Sequence, residues 1–218
     1  MIRALVRPRR RWTAFLKRLT GAGAVSCIAL HACTAVERDT AGVPVEGLEG
    51  VRLGMTRAQL RSARPRIYDN SGDLEEELRT HQKAFYVFGG DLHGSGRPAT
   101  DHLVGVIVSQ TIRTPDREAV RASVDRIARS WTREAGIPAG TAASLVQRRT
   151  GIVVPVRVVV WTSPNAVRIL TYDSDSAMQR ADFPREVNAI VQAPSLPLGA
   201  FLPAPLNGLR QADLRKEK

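Results

Sequence analysis

Four apolar side chains, Val120, Val124, Ile127 and Trp131, recur at spacings of four, three and four. That period puts them on one face of a helix, and it predicts a helix over residues 115–135. Thr114 caps the expected helix, and Pro115 occupies its first position, where a missing N–H costs nothing. Gly136 supplies the stop. Arg117, Arg121, Arg126, Arg129 and Arg133 fall mostly off the apolar stripe and read as a solvated face, with acidic partners or lipid headgroups as the sharper alternative.

Elsewhere the pattern has period two. Residues 84–88 and 103–110 read as strands joined by a long glycine-rich loop, and residues 152–161 and 166–172 as a hairpin around Thr162-Ser163-Pro164-Asn165. Pro155 argues for an edge or a bulge near the start of the first of these two strands. Val51 and Leu53 alternate with Arg52 as a short strand would. Thr56 with Gln59 three residues later makes a capping box for a helix that Arg64-Pro65 ends, with Met55 able to staple onto Leu60. Two further short helices are expected, at 73–82, where Leu74 and Leu78 lie four apart, and from Pro184 to Val191. Trp131, Trp161, Tyr86 and Tyr172 fall on core-facing or strand positions and read as packing residues. These elements predict an α+β fold, an antiparallel or mixed sheet with helices packed on one face. No internal repeat is evident in the sequence.

The two ends of the chain differ from this middle. Residues 1–18 are basic, and Leu19 to Leu30 is an uncharged, mostly apolar run, too short for the roughly 20 residues that span a bilayer as a helix. This is the layout of a secretory signal over residues 1–32. Residues 33–49, punctuated by Gly42, Pro44 and Gly47, read as a tether. The folded domain is expected over 50–193. The tail 194–218, with Pro194, Pro197, Pro203 and Pro205 and a charged end, is expected to pack little or to be disordered.

Charge changes meaning once the leader is separated. The chain has 32 basic and 21 acidic residues, a net +11, but seven basic residues and no acid lie in residues 1–33, which leaves a net +4 beyond them. The footprint of nucleic-acid binding is therefore not established, and no nucleic-acid partner is expected. The only cysteines are Cys27 and Cys33. Cleavage before Cys33 leaves a mature chain with no internal disulfide.

The leader ends in Leu30-His31-Ala32-Cys33, which resembles the lipobox of bacterial lipoproteins, although His31 stands where a small or apolar residue is usual. The resemblance implies a diacylglycerol on the Cys33 sulfur and cleavage after Ala32. Ala24-Val25-Ser26-Cys27 is a second candidate that interrupts the apolar run early, and an ordinary signal peptide cut near Ala32 is the plainer alternative. Arg10-Arg11-Trp12-Thr13-Ala14-Phe15-Leu16-Lys17 resembles a twin-arginine export signal with its Phe-Leu-Lys two residues late. Gly50 to Leu60, with its Gly-Met-Thr turn, resembles the opening of small bacterial lipoprotein domains such as the accessory lipoprotein of the outer-membrane barrel-assembly machinery. That resemblance implies helices on one face of an antiparallel sheet. Thr34, rather than Asp, follows the lipid-bearing cysteine, which favours the periplasmic face of the outer membrane over the inner membrane.

The search for chemistry returns little. No phosphate-binding glycine loop, Gly-x-Ser-x-Gly elbow or His-Glu-x-x-His helix is present. His93-Gly94-Ser95-Gly96 reads as a turn. His81, Asp91, His93, Asp101 and His102 are metal-compatible side chains within 22 residues, but their spacing matches no tight metal motif, and the glycines around them favour a pliable loop. The expectation is a lipid-anchored envelope protein with a non-catalytic binding or scaffolding role. It has no catalytic, cofactor or metal residues, Cys33 as lipidation site, and the membrane and an envelope protein as partners. The alternative is an envelope hydrolase or metal-dependent enzyme using His81, His93 and His102.

Overall fold

The computed structural model describes residues 43–45, 47–70, 73–89, 102–112, 117–148, 151–174 and 185–216. Among them are two α-helices, α1 (Arg57–Ala63) and α2 (Arg117–Ala135). Eight strands accompany them: β1 (Tyr68–Asn70), β2 (Asp73–Arg79), β3 (Gln82–Phe88), β4 (Leu103–Ile112), β5 (Gly140–Gln147), β6 (Val153–Ser163), β7 (Ala166–Asp173) and β8 (Arg185–Gln192). The strands form one sheet in the order β1-β2-β3-β4-β8-β7-β6-β5, and every pairing is antiparallel. The fold is α+β.

The order contains a repeat that the sequence hides. Each half is a helix followed by a four-stranded meander, and the halves join through their last strands, β4 and β8. Central β4 and β8 pair over eight residues, from Gly105↔Gln192 to Ile112↔Arg185.

α1 forms as its capping box predicts. The Gln59 N–H donates to Thr56 Oγ1 at 3.2 Å, and the Thr56 N–H donates to Gln59 Oε1 at 2.8 Å. Arg64 ends the helix before Pro65 with φ −130°. Leu60 is fully buried, and Met55 packs against the same cluster.

α2 buries its predicted stripe. Val120 and Trp131 are buried, Val124 and Ile127 pack partly buried beside them, and Arg121, Arg126, Arg129 and Arg133 are exposed. The helix contacts β6, β7 and β8. Trp131 meets Trp161 edge to face at 5.4 Å with an 80° interplanar angle. Trp161 Nε1 donates to Thr132 Oγ1 at 3.2 Å, so the indole is not left with a buried orphan donor. Ser123 Oγ donates to Gln110 Oε1 at 2.8 Å and ties α2 to β4. Thr114 and Pro115 lie outside the described residues.

Two short helices expected from the sequence are strands. Residues 73–79 form β2, in which Leu74, Glu76 and Leu78 share a face and Glu75 and Glu77 the other. A glutamate on the apolar side hid the alternation and left a four-residue spacing in view. Residues 185–192 form β8, whose two faces are both covered: Val187 and Val191 share a cluster with Val120 and Trp131 of α2, and Ile190 is buried with Leu202 and Leu206 of the tail. A strand buried on both faces loses the period that distinguishes it from a helix. Val51 and Leu53 are buried but form no ladder, only a bridge from Arg52 to Pro44. Strands β1 and β5 carry no clear alternation and were not expected.

Pro155 sits in β6, an inner strand rather than an edge. Its carbonyl accepts from the Ser174 N–H, so its nitrogen faces the β7 side just beyond the last β6–β7 pair, Val156↔Asp173. The missing N–H therefore interrupts no bond to β5.

Both domain boundaries extend further than the sequence suggested. Val45 and Leu48 are buried in the main cluster, so the domain begins by residue 43 and not at 50. The Pro-rich tail is packed, not loose. Leu202 and Leu206 are buried with Val156, Val158, Val160, Ile169 and Ile190, on the sheet face opposite Trp161 and Leu170. Phe201 lies over Gly105, where an added Cβ would come within 2.6 Å of Cζ. Buried Gln192 donates to the Pro197 carbonyl at 3.1 Å. The prolines suggested disorder, but leucine and phenylalanine between them give the tail enough apolar area to offset its ordering.

Candidate functional site

Cys33, Asp91, His93 and Asp101 lie outside the described residues. His81 and His102 do not meet. His81 turns the β2–β3 connection with φ 66°, and its carbonyl accepts from Thr111. His102 stands just before β4, at the far end of β3, where Phe88 pairs with Leu103. The seven residues of β3 between them span roughly 23 Å. His102 Nδ1 lies 2.8 Å from the Gly54 carbonyl and donates to it, fixing the approach to α1. Among the described residues, no three His, Cys, Asp or Glu side chains gather as a metal site.

Three polar clusters sit elsewhere. Arg64 grips buried Glu76 with Nε and Nη2 at 2.9 and 2.7 Å, and the Tyr86 hydroxyl donates to the same carboxylate at 2.7 Å. Burial, then the bond to Glu76, pushes the Tyr86 hydroxyl well above the ordinary tyrosine range, and Glu76 likewise raises Arg64. On the sheet's other face, Glu75 accepts from Tyr68 at 3.2 Å and Asn70 at 2.9 Å. Lys83 donates to the Tyr68 hydroxyl at 3.4 Å, and that contact, with Glu75 and Glu77 nearby, raises its pKa. Arg148 bonds both Asp173 and Glu186 and links the ends of β5, β7 and β8. In each cluster carboxylates accept from fixed donors, an arrangement that holds strands and helix in register.

Among the described residues, β5 is the edge of the sheet beside which exposed apolar side chains gather. Four large hydrophobic residues are exposed among the described ones, and three of them, Ile137 (87%), Leu145 (63%) and Val153 (48%), lie on or beside β5. Thr141 already exchanges both backbone bonds with Arg215 of the tail, N–H to carbonyl at 2.8 and 2.7 Å. By the two-residue period of a strand, Ala143 and Leu145 direct their N–H and C=O groups the same way, off the sheet. Sequence reasoning missed this edge because Gly140-Thr-Ala-Ala-Ser-Leu-Val-Gln147 carries no strong period; only Leu145 and Val146 mark it as a strand.

A scan against protein-family models and a search of curated proteins find no match to this chain.

Proposed function

We propose that the chain is a lipid-anchored cell-envelope protein with a non-catalytic binding role, recognising an extended partner segment along the β5 edge. The observation that carries the binding role is the exposed Leu145 on an edge strand whose Thr141 already accepts a strand partner, the tail's Arg215. Strand addition draws affinity from backbone bonds and specificity from alternate side chains, and the apolar surface at Ile137, Leu145 and Val153 suits a hydrophobic segment. The anchor is the lipid on Cys33, inferred from the Leu-His-Ala-Cys sequence, and Thr34 favours the periplasmic face of the outer membrane. Both helices lie on one face of the sheet in this reading, supported by Leu60, Val120 and Trp131 sharing one apolar cluster with Tyr86, Trp161 and Leu170.

The test compares the mature protein with its Leu145→Lys variant, since lysine on an edge opposes strand pairing. Affinity capture from the cell envelope should recover a partner with the wild type, at about tenfold or lower yield with the variant. Amide exchange at Ala143 and Leu145 should slow when that partner binds. Equal capture by both proteins, or unchanged exchange at these amides, would exclude the β5 edge.

A further inference from the structure

We infer that the helical layer is a docking surface for an anionic lipid bilayer, so that the anchored domain lies with α1 and α2 toward the membrane and the β5 edge free to the side. The inference rests on the anchored, one-face reading above and adds an orientation to it.

Charge is divided unevenly between the layers. Residues 50–67, containing α1, hold five arginines and no acid, and α2 holds five arginines against Glu118, Asp125 and Glu134, so together they carry +7. Residues 34–218 carry only +4, which leaves the rest of the mature chain at −3. Arg64 is committed to Glu76, and Arg57 lies over the Phe88 ring. Arg61, Arg66, Arg126, Arg129 and Arg133 are exposed. On α2 the exposed arginines project opposite Val120, Ser123 and Trp131, the side buried against the sheet. The 19-residue helix is about 28 Å long, and Glu118, Asp125 and Glu134 are exposed beside these arginines, so α2 presents a mixed face with a small positive excess and most of the layer's charge comes from residues 50–67.

The position of the chain's first described residues gives a second reason. Leu53 donates to the Val43 carbonyl, and Val45 donates to the Val51 carbonyl, so the chain enters the fold beside the start of α1. Only residues 34–42 separate Cys33 from Val43, and nine residues reach at most about 32 Å when fully extended. The basic layer is therefore tethered within reach of the bilayer, where anionic headgroups attract arginine over about a Debye length.

Vesicle flotation tests this with the mature chain from residue 33 carrying Cys33→Ser, which removes the lipid. Circular dichroism of this chain first checks that it folds, so that binding is read on a folded protein. The probe is phosphatidylcholine vesicles with and without about a third phosphatidylglycerol. Binding should be at least about tenfold stronger with phosphatidylglycerol and should fade between about 0.1 and 1 M salt. Replacing Arg61, Arg129 and Arg133 by Gln should weaken it about tenfold or more. Replacing Arg210, Arg215 and Lys216 by Gln removes the same charge from the tail and should change it less than about twofold. Circular dichroism melts confirm that both triple variants fold. No preference for phosphatidylglycerol, or equal losses in the two variants, would overturn the inference and leave the arginines to an acidic protein. Mass spectrometry of the native N-terminus reports on the anchor separately: an unmodified Cys33 removes the anchor while leaving the vesicle result to stand.

Discussion

Arg64 and Glu76 form a two-pronged ion pair between the end of α1 and the middle of β2, with Tyr86 of β3 closing the carboxylate from a third direction. The Glu76 side chain is 4% exposed and that of Arg64 22%, so the pair is sheltered on one side only. Removing one partner of such a pair strands a buried charge. Arg64→Ala should destabilise the protein by about 2–4 kcal/mol in urea unfolding. A loss under about 0.5 kcal/mol would show that water replaces the guanidinium freely.

The same cluster makes stability sensitive to alkali. The folded protein holds the Tyr86 proton to higher pH than the unfolded chain does. Above the ordinary tyrosine value near 10 the unfolded state therefore binds fewer protons, and stability falls as pH rises. Below that value the contribution is fully present. Lys83, also raised, acts in the same direction. Tyr86→Phe should flatten the decline in unfolding free energy above about pH 10; an unchanged slope would assign the alkaline loss to other groups.

Trp131→Ala should cost about 3–5 kcal/mol, because it empties the space against Trp161 at the centre of the α2–sheet contact. The two ring signals should be coupled in near-ultraviolet circular dichroism, and loss of the Trp131 ring should remove that coupling. A near-neutral substitution would mean that α2 repacks without it.

Gly105 leaves the space that Phe201 fills. Gly105→Ala should loosen the tail, costing about 1–3 kcal/mol and opening residues 194–216 to proteolysis. Adding Phe201→Ala should recover part of that cost, since the clash partner is gone. Strictly additive losses would show that the ring does not meet the new methyl.

Cys33 should carry a lipid. Cys33→Ser should be processed differently and should leave the membrane fraction after a wash in about 1 M salt, which screens the arginines, because two acyl chains anchor a protein firmly and one only marginally. Identical processing, with identical retention after the salt wash, would end the anchor proposal.

The sequence by itself determined the elements whose chemistry is local. The Thr56–Gln59 capping box, the stop at Arg64-Pro65, the Val120–Trp131 stripe and the hairpin turn at Pro164-Asn165 each follow from residues a few positions apart, and each forms as read. Tertiary structure decided the elements whose partners are distant. Glu76 can sit on the apolar side of β2 only because Arg64 and Tyr86 arrive from α1 and β3, and without them Leu74 and Leu78 mimic a helix. β8 is a strand because β4 and β7 pair with both its edges, a relationship that joins residues as far apart as Gly105 and Gln192. The tail is ordered because the β5–β8 half of the sheet offers Leu202 and Leu206 an apolar face that nothing in the tail's own composition announces. The β5 edge, the surface on which the binding proposal stands, exists only by the order of strands, since any strand's backbone is identical until its neighbours are placed.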